Sequence, residues 1–177
     1  MAKKEIRQIR VEGNVAHVPL TQGYEAVIDA ADVQFVDGFN WCVLVSRYRK
    51  SGEIRTIYAV RNERKGGALR MIYMHRVIIC PTGDLEVDHR DGNGLNNRRL
   101  NLRPATQAQN GYNGRLRSNN SSGVKGVTWH KARGKWHARV MANKKYWHLG
   151  YFESIDAAAS AYAKASRQHH GEFARTS

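Results

Sequence analysis

The chain has 177 residues, with 29 Lys and Arg against 15 Asp and Glu, a net charge of +14 and a pI near 10.2. This excess of cations fits a polyanionic partner, since each Lys or Arg placed at a phosphate releases condensed counterions; the competing reading is a solubilising surface. Two cysteines exclude a four-cysteine zinc site, no apolar run approaches bilayer length, and no basic amphipathic helix points to a membrane surface.

The N-terminal stretch MAKKEIRQIRVEG has no apolar centre and does not read as a signal peptide, so the chain is expected in a reducing compartment. Cys42 and Cys80 lie within apolar runs and read as buried thiols. Residues 1–70 form a strand-rich region with 12 basic and 8 acidic residues. Residues 41–45 and 56–60 have the β-branched and aromatic content of strands, and Ser51-Gly52 between them signals a hairpin turn. Period-2 alternation puts Arg47 and Arg49 on one side of that hairpin, as a solvated edge or a DNA contact.

Residues 71–117 follow, with 71–79 read as a short helix ended near Pro81. Residues 85–89 should form a strand, and Asn101-Leu102-Arg103 should begin a second. Thr106 and Gln109 have capping-box spacing, so a helix begins near Thr106 and carries Asn110 in its first turns. The stretch 111–123 is rich in Gly, Asn and Ser and reads as a flexible basic linker, with 118–122 as its centre.

Residues 123–177 come last; 124–177 carry 10 basic and 3 acidic residues. Trp136, Ala138, Val140 and Ala142 alternate onto one strand face, with His137, Arg139 and Met141 on the other. Asn143-Lys144 can turn the chain. After Ser154, residues Ile155, Ala158, Ala161, Tyr162 and Ala165 recur at helical spacing. His169-His170 before Gly171 reads as a helix C-terminal pair that complements the helix dipole.

The chemistry concentrates around Asp88-His89. A histidine can take a proton from water. A carboxylate with an amide oxygen can share a hard cation such as Mg²⁺ and leave positions for water and a phosphate. Met74-His75-Arg76, Val87-Asp88-His89, Asp91-Gly92-Asn93, Asn96-Asn97-Arg98, Asn101-Leu102-Arg103 and residues 106–110 occur in the order and spacing of one family. By these pieces residues 74–113 resemble the HNH endonucleases of phages and mobile introns. The resemblance implies a ββα-metal centre with His89 as general base, Asp88 and Asn110 as metal ligands, and Asn101 bracing the loop between the strands. Asn93, Asn96 and Asn97 read as loop-turn residues, and His75 as a structural or phosphate-contacting residue ahead of a catalytic one.

Gly123-Val-Lys-Gly-Val127, Gly134-Lys-Trp136, Leu149-Gly-Tyr-Phe152 and Ala157 through Tyr162 to Gly171-Glu-Phe-Ala resemble the AP2 DNA-binding domain. That resemblance implies a three-stranded sheet packed on one helix. This chain departs from the plant pattern, offering Lys125, Tyr146 and His148 where arginine and tryptophan dominate, so no target sequence carries over.

The expected fold class is therefore α+β: a strand-rich N-terminal region, a ββα HNH centre and a sheet-plus-helix module. The expected function is a site-specific DNA endonuclease of the homing type, acting in the cytoplasm of a phage-infected bacterium and not secreted. It would use one divalent metal, Mg²⁺ with Mn²⁺ as the alternative, with no structural zinc and no organic cofactor. Candidate contacts to double-stranded DNA are Lys125, His137, Arg139, Tyr146, His148, Arg47, Arg49 and Arg103, with Lys131 and Lys135 as further phosphate contacts. One centre per chain fits a monomer that cuts one strand at a time. The competing functions are a DNA-binding regulator with a vestigial nuclease centre and a non-catalytic RNA-binding protein.

Overall fold

A computed structural model describes residues 5–49, 51–116 and 120–176, which fall into two compact units, 1–104 and 105–177. The fold class is α+β.

In the first unit, β1 (Arg10–Glu12), β2 (Val15–Pro19) and β3 (Glu25–Asp29) make an antiparallel sheet in that order. The pleat turns Ala16, Val18, Ala26 and Ile28 inward, and the register stacks Ala16 on Ile28 and Val18 on Ala26. The short helix α1 (Val33–Val36) offers its Val36 carbonyl to the buried Trp41 indole N–H at 2.8 Å. The ring is thereby buried without leaving its donor unpaired. A second antiparallel sheet follows, formed by β4 (Cys42–Arg47), β5 (Ile54–Lys65) and β6 (Ala68–Tyr73). This is the expected hairpin. Arg47 closes β4 with its guanidinium on the Gly52 carbonyl at 3.0 Å, while Arg49 lies in the turn beyond the strand, where strand alternation no longer applies.

Helix α2 (Met74–Ile79) starts later than the sequence implied, because residues 71–73 complete β6. It ends at Cys80, which takes a left-handed conformation (φ 49°) and points its thiol to solvent. Cys42 is only half-buried, so neither cysteine is the fully buried thiol expected from its apolar neighbours. Strands β7 (Glu86–His89) and β8 (Leu102–Ala105) pair as a two-stranded sheet.

One core joins these pieces. Ala16, Ile28, Val36, Trp41, Ala59, Met74, Ile78, Val87 and Leu102 belong to a single buried cluster. Each fully buried large side chain contributes about 1.5–3 kcal/mol. The N-terminal strands therefore form one hydrophobic body with β7 and β8. The loop between β7 and β8 is tied down by β3: Val27 N–H donates to the Leu95 carbonyl at 2.8 Å, and Asn97 N–H donates to the Val27 carbonyl at 2.7 Å. Arg98 meets Asp29 at 2.9 Å and Arg99 meets the buried Asp32 at 2.8 Å. Gly94 presses against β5 so closely that a Cβ there would lie 2.0 Å from the Ile57 carbonyl oxygen, so this loop position has no room for a side chain.

The second unit opens with α3 (Gln107–Asn113), capped as its sequence implied: the Thr106 hydroxyl accepts from Gln109 N–H and the Gln109 side chain accepts from Thr106 N–H. Residues 111–113 are thus helical rather than linker, while the expected linker centre, 118–122, lies partly outside the described residues. Asn120 and Ser122 form a hydrogen-bonded turn against Val124 and Val127. An antiparallel sheet of β9 (Val127–His130), β10 (Lys135–Ala142) and β11 (Lys145–Phe152) follows, with β10 central. Asn143 and Lys144 turn the chain between β10 and β11 at φ 51° and 61°.

Helix α4 (Ile155–His170) is capped by the Ser154 hydroxyl, which accepts from Ala157 N–H at 3.2 Å. It buries Ala158, Tyr162 and Ala165 against Val127, Ala138 and Val140. Gly126 is required at that contact. Its φ is +73°, and a Cβ would lie 2.3 Å from the Tyr162 ring. Among the described residues no helix is long and apolar enough to cross a membrane.

Candidate active site

Asp88 and His89 stand at the C-terminal end of β7, both buried. Adjacent strand residues point to opposite faces, so the two side chains enter different surroundings. Asp88 meets Arg103 from β8: the guanidinium Nε and Nη2 lie 2.8 and 2.7 Å from Asp88 Oδ2. Both partners are almost fully buried (3% and 5% exposed), and each charge compensates the other's desolvation.

The His89 ring is fixed by Asn97, whose Oδ1 lies 3.3 Å from His89 Nε2. Asn97 Nδ2 donates to the Leu95 carbonyl at 3.2 Å, which identifies the other amide atom as the oxygen, an acceptor. His89 Nε2 therefore carries the proton and donates, and the basic lone pair belongs to Nδ1. Burial pushes the His89 imidazole below its ordinary range, against the smaller opposing effects of Asn97, Asp91 and Asp88. A neutral imidazole with a defined tautomer is what a proton acceptor requires at neutral pH.

Two more rings lie against it, and a third lies behind them. His75 lies edge-on to His89 at 5.1 Å, Tyr58 of β5 lies 5.8 Å from His89 and 5.4 Å from His75, and Tyr73 of β6 lies 5.3 Å from His75. Burial raises the Tyr58 hydroxyl above its usual value and keeps it protonated. Burial, then His89 and Arg76, push His75 down to about 3. His75 is 7% exposed, and its Nδ1 is buried without a hydrogen-bond partner.

Depression of a histidine has a definite sign for stability. Between pH 6.5 and 3 the unfolded chain binds a proton at His75 that the folded chain refuses, so the contribution is full above 6.5 and lost as pH falls. This residue alone should make the protein about 2 kcal/mol less stable at pH 5 than at pH 7, by 1.36 kcal/mol per unit. Urea unfolding at the two pH values checks this, and His75→Leu should flatten the difference. Equal stability of wild type at both would refute it.

Asn101 is hydrogen-bonded within the loop between β7 and β8. Its Oδ1 accepts from Asp91 N–H at 3.1 Å, and its Nδ2 donates to Asp91 Oδ1 at 3.0 Å and to the Asn96 carbonyl at 2.8 Å. Asp91 in turn accepts from Asn93 N–H and from the Asn96 amide, both at 2.8 Å. Asn93 and Asn96 are thus loop-shaping residues, whereas Asn97, grouped with them from sequence, orients the His89 ring.

Among the described residues no group of three or more His, Cys, Asp or Glu side chains converges as a metal cage. The carboxylate at the end of β7 is Asp88, and a carboxylate oxygen suits a hard cation that keeps most of its waters, as Mg²⁺ does.

Asn110 lies in α3, its N–H donating to the Thr106 carbonyl at 3.0 Å, within the second unit. In that unit the face of the sheet opposite α4 brings together His137, Arg139, Tyr146 and His148. Arg139 pairs with His148 across the strands, its guanidinium sits 4.9 Å over the Tyr146 ring, and His137 Nε2 lies 2.8 Å from His148 Nδ1. Lys125 is engaged elsewhere: its ammonium donates to the Tyr112 and Gly114 carbonyls at 2.6 and 2.8 Å, closing the end of α3. Lys135 pairs with Glu153 at 2.6 Å. His170 is buried, stacked on Tyr112 at 3.9 Å, and His169 stacks on Trp147 at 4.9 Å.

Residues 73–112 match the family described as HNH endonuclease. The chain is also 37% identical over 89 residues to Protein 3.8 of Escherichia phage T7, which covers 50% of this chain and 73% of that protein. The chain belongs to the family of that phage protein and carries an HNH domain. The matched HNH segment contains Asp88, His89, Asn97, Asn101, Arg103 and Asn110, and begins two residues before His75. Tyr58 lies outside the segment. No local pattern around residue 58 marks it, because its link to the HNH histidine exists only through the pairing of β5 with β6 and the packing of α2 on both.

Proposed function

We propose that this HNH protein is a metal-dependent, site-specific DNA endonuclease of the homing type. The observation that carries the reading is the end of β7, where a neutral imidazole with its lone pair on Nδ1 stands next to a buried carboxylate. In this reading His89 Nδ1 accepts a proton from water. The water oxygen forms a bond to phosphorus as the bond to the 3′ oxygen breaks, and that oxygen leaves with the electron pair. Asp88 would hold the divalent cation, with Asn110 as the second oxygen ligand that the family resemblance implies. A bound Mg²⁺ or Mn²⁺ supplies charge neutralisation at the phosphate and the leaving oxygen. Asn97 keeps the imidazole in its productive tautomer, and Asn101 holds the loop that carries Asn97.

Chelation tests this directly. Excess EDTA should abolish cutting of double-stranded DNA and leave most of the DNA binding, and Mg²⁺ or Mn²⁺ should restore the cut. Full activity in EDTA would refute the reading. End-mapping of both strands on phage DNA then reports whether a monomer nicks one strand at a time, as one centre per chain implies.

For site choice the reading rests on the second unit. Its three-stranded sheet backed by one helix agrees with the AP2 resemblance, and the net charge of +7 over 124–177 suits a face laid in a groove. Arg139 lies mid-strand on that face, where a guanidinium can fork onto guanine for about 1–3 kcal/mol of discrimination. Arg139→Ala should therefore relax sequence preference more than it weakens binding to random DNA. Competition footprints measure this, and an unchanged preference would remove Arg139 from the reading set.

One observation favours a second reading, a DNA-binding regulator whose nuclease centre is vestigial: Arg103 already occupies Asp88 Oδ2. Site-specific binding with no cleavage in either metal would select it.

A further inference from the structure

His75 is a poor choice for a residue that only fills space. It is more than nine-tenths buried, and its Nδ1 is shut away from solvent with no partner. An unpaired buried nitrogen is destabilising, and a leucine on the same helix would fill the position without that penalty. Such a group in a native fold calls for an explanation, and an ordered water or ligand supplies one. The surroundings point the same way. Three polar-edged rings, Tyr58, Tyr73 and His89, wall the imidazole; two come from different strands of the β4–β5–β6 sheet and the third from the end of β7. His89 is edge-on with ring centroids 5.1 Å apart. At that separation the two imidazoles touch edge to face, so a water hydrogen-bonded to one of them lies beside the other.

We infer that His75 is a second imidazole of the hydrolytic centre, accepting a hydrogen bond from the attacking water and aiming its oxygen while His89 takes its other proton. The inference rests on the nuclease reading above. His75 adds no proton transfer of its own: the water gives one proton to His89 Nδ1 and keeps its second O–H directed at His75 until the bond to phosphorus forms. The proton balance of the cleavage is unchanged, and what His75 contributes is orientation. Tyr58 and Tyr73 keep the two imidazoles at their spacing, which gives the N-terminal sheet a direct part in the centre.

The test compares His75→Leu, which removes the acceptor, with His75→Gln, which keeps a polar acceptor on a flexible chain. DNA affinity, melting temperature and the single-turnover cleavage rate with Mg²⁺ are measured for each. The leucine variant should melt no lower than wild type and bind DNA as tightly, yet cut about 10²-fold more slowly, the cost of a misplaced reactant. The glutamine variant should recover a clear part of that loss.

Wild-type rates in the leucine variant would overturn the inference, as would equal slowing in both variants, which would mean that shape and not an acceptor is needed. If the leucine variant does not fold, His75→Phe takes its place; loss of the fold in both would assign His75 to structure and overturn the inference too. A wild-type protein that fails to cut with either metal would sink the nuclease reading itself. A cutting wild type with an indifferent leucine variant would sink only the role of His75.

Discussion

His89→Ala should lower DNA cleavage by at least ~10²-fold, the lower range for a lost general base, and leave DNA binding nearly intact. The expectation follows from three features of one ring. Burial holds it neutral, Asn97 fixes its tautomer, and its place at the end of β7 puts it beside Asp88. Alanine removes the proton acceptor without touching Arg103, Asn101 or the face of the second sheet, so affinity and rate should separate. Single-turnover cleavage under saturating protein, set beside an equilibrium binding curve, measures both. A variant that turns over as fast as wild type would take the base assignment away from His89 and shift attention to His75, the other buried imidazole of the centre.

Arg103→Leu should cost about 3–5 kcal/mol of stability, the usual price of removing one partner from a buried ion pair. The sequence placed Arg103 among the DNA contacts, but the structure buries it on Asp88, at 2.7 Å and with 5% exposure. Leucine leaves the Asp88 carboxylate desolvated without that cation. The same change also frees Asp88 from a competitor for any bound metal, so the two effects can be told apart: urea unfolding reads the first, and the Mg²⁺ concentration for half-maximal cutting reads the second. If the variant unfolds at the wild-type urea midpoint, the pair contributes nothing net, and Arg103 returns to the list of candidate DNA contacts.

Several parts of the molecule were legible before any fold was known, each because its cause is local. The capping box at Thr106 and Gln109, the turn at Ser51-Gly52, the turn at Asn143-Lys144 and the alternation along 136–142 depend on residues a few positions apart. Propensity and capping act over that range, so spacing alone reveals them. The candidate pair Asp88-His89 was legible for a related reason: two adjacent chemical groups need no tertiary contact to be recognised as a pair.

Tertiary structure decided what each of those groups experiences. The Asn97 amide reaches His89 because the Val27 backbone grips the loop from a strand 70 residues earlier in the chain (Asn97 N–H to Val27 carbonyl, 2.7 Å). Tyr58 joins the centre only through sheet pairing, Arg103 turns inward to meet a carboxylate, and the Lys125 ammonium closes a helix end instead of facing solvent. Cys80 reverses its expected burial because the chain leaves α2 in a left-handed turn. Side-chain type sets what a residue can do, and the sequence displays it. Protonation, orientation and exposure depend on desolvation and on partners far apart in the chain, and those exist only after the core has brought them together.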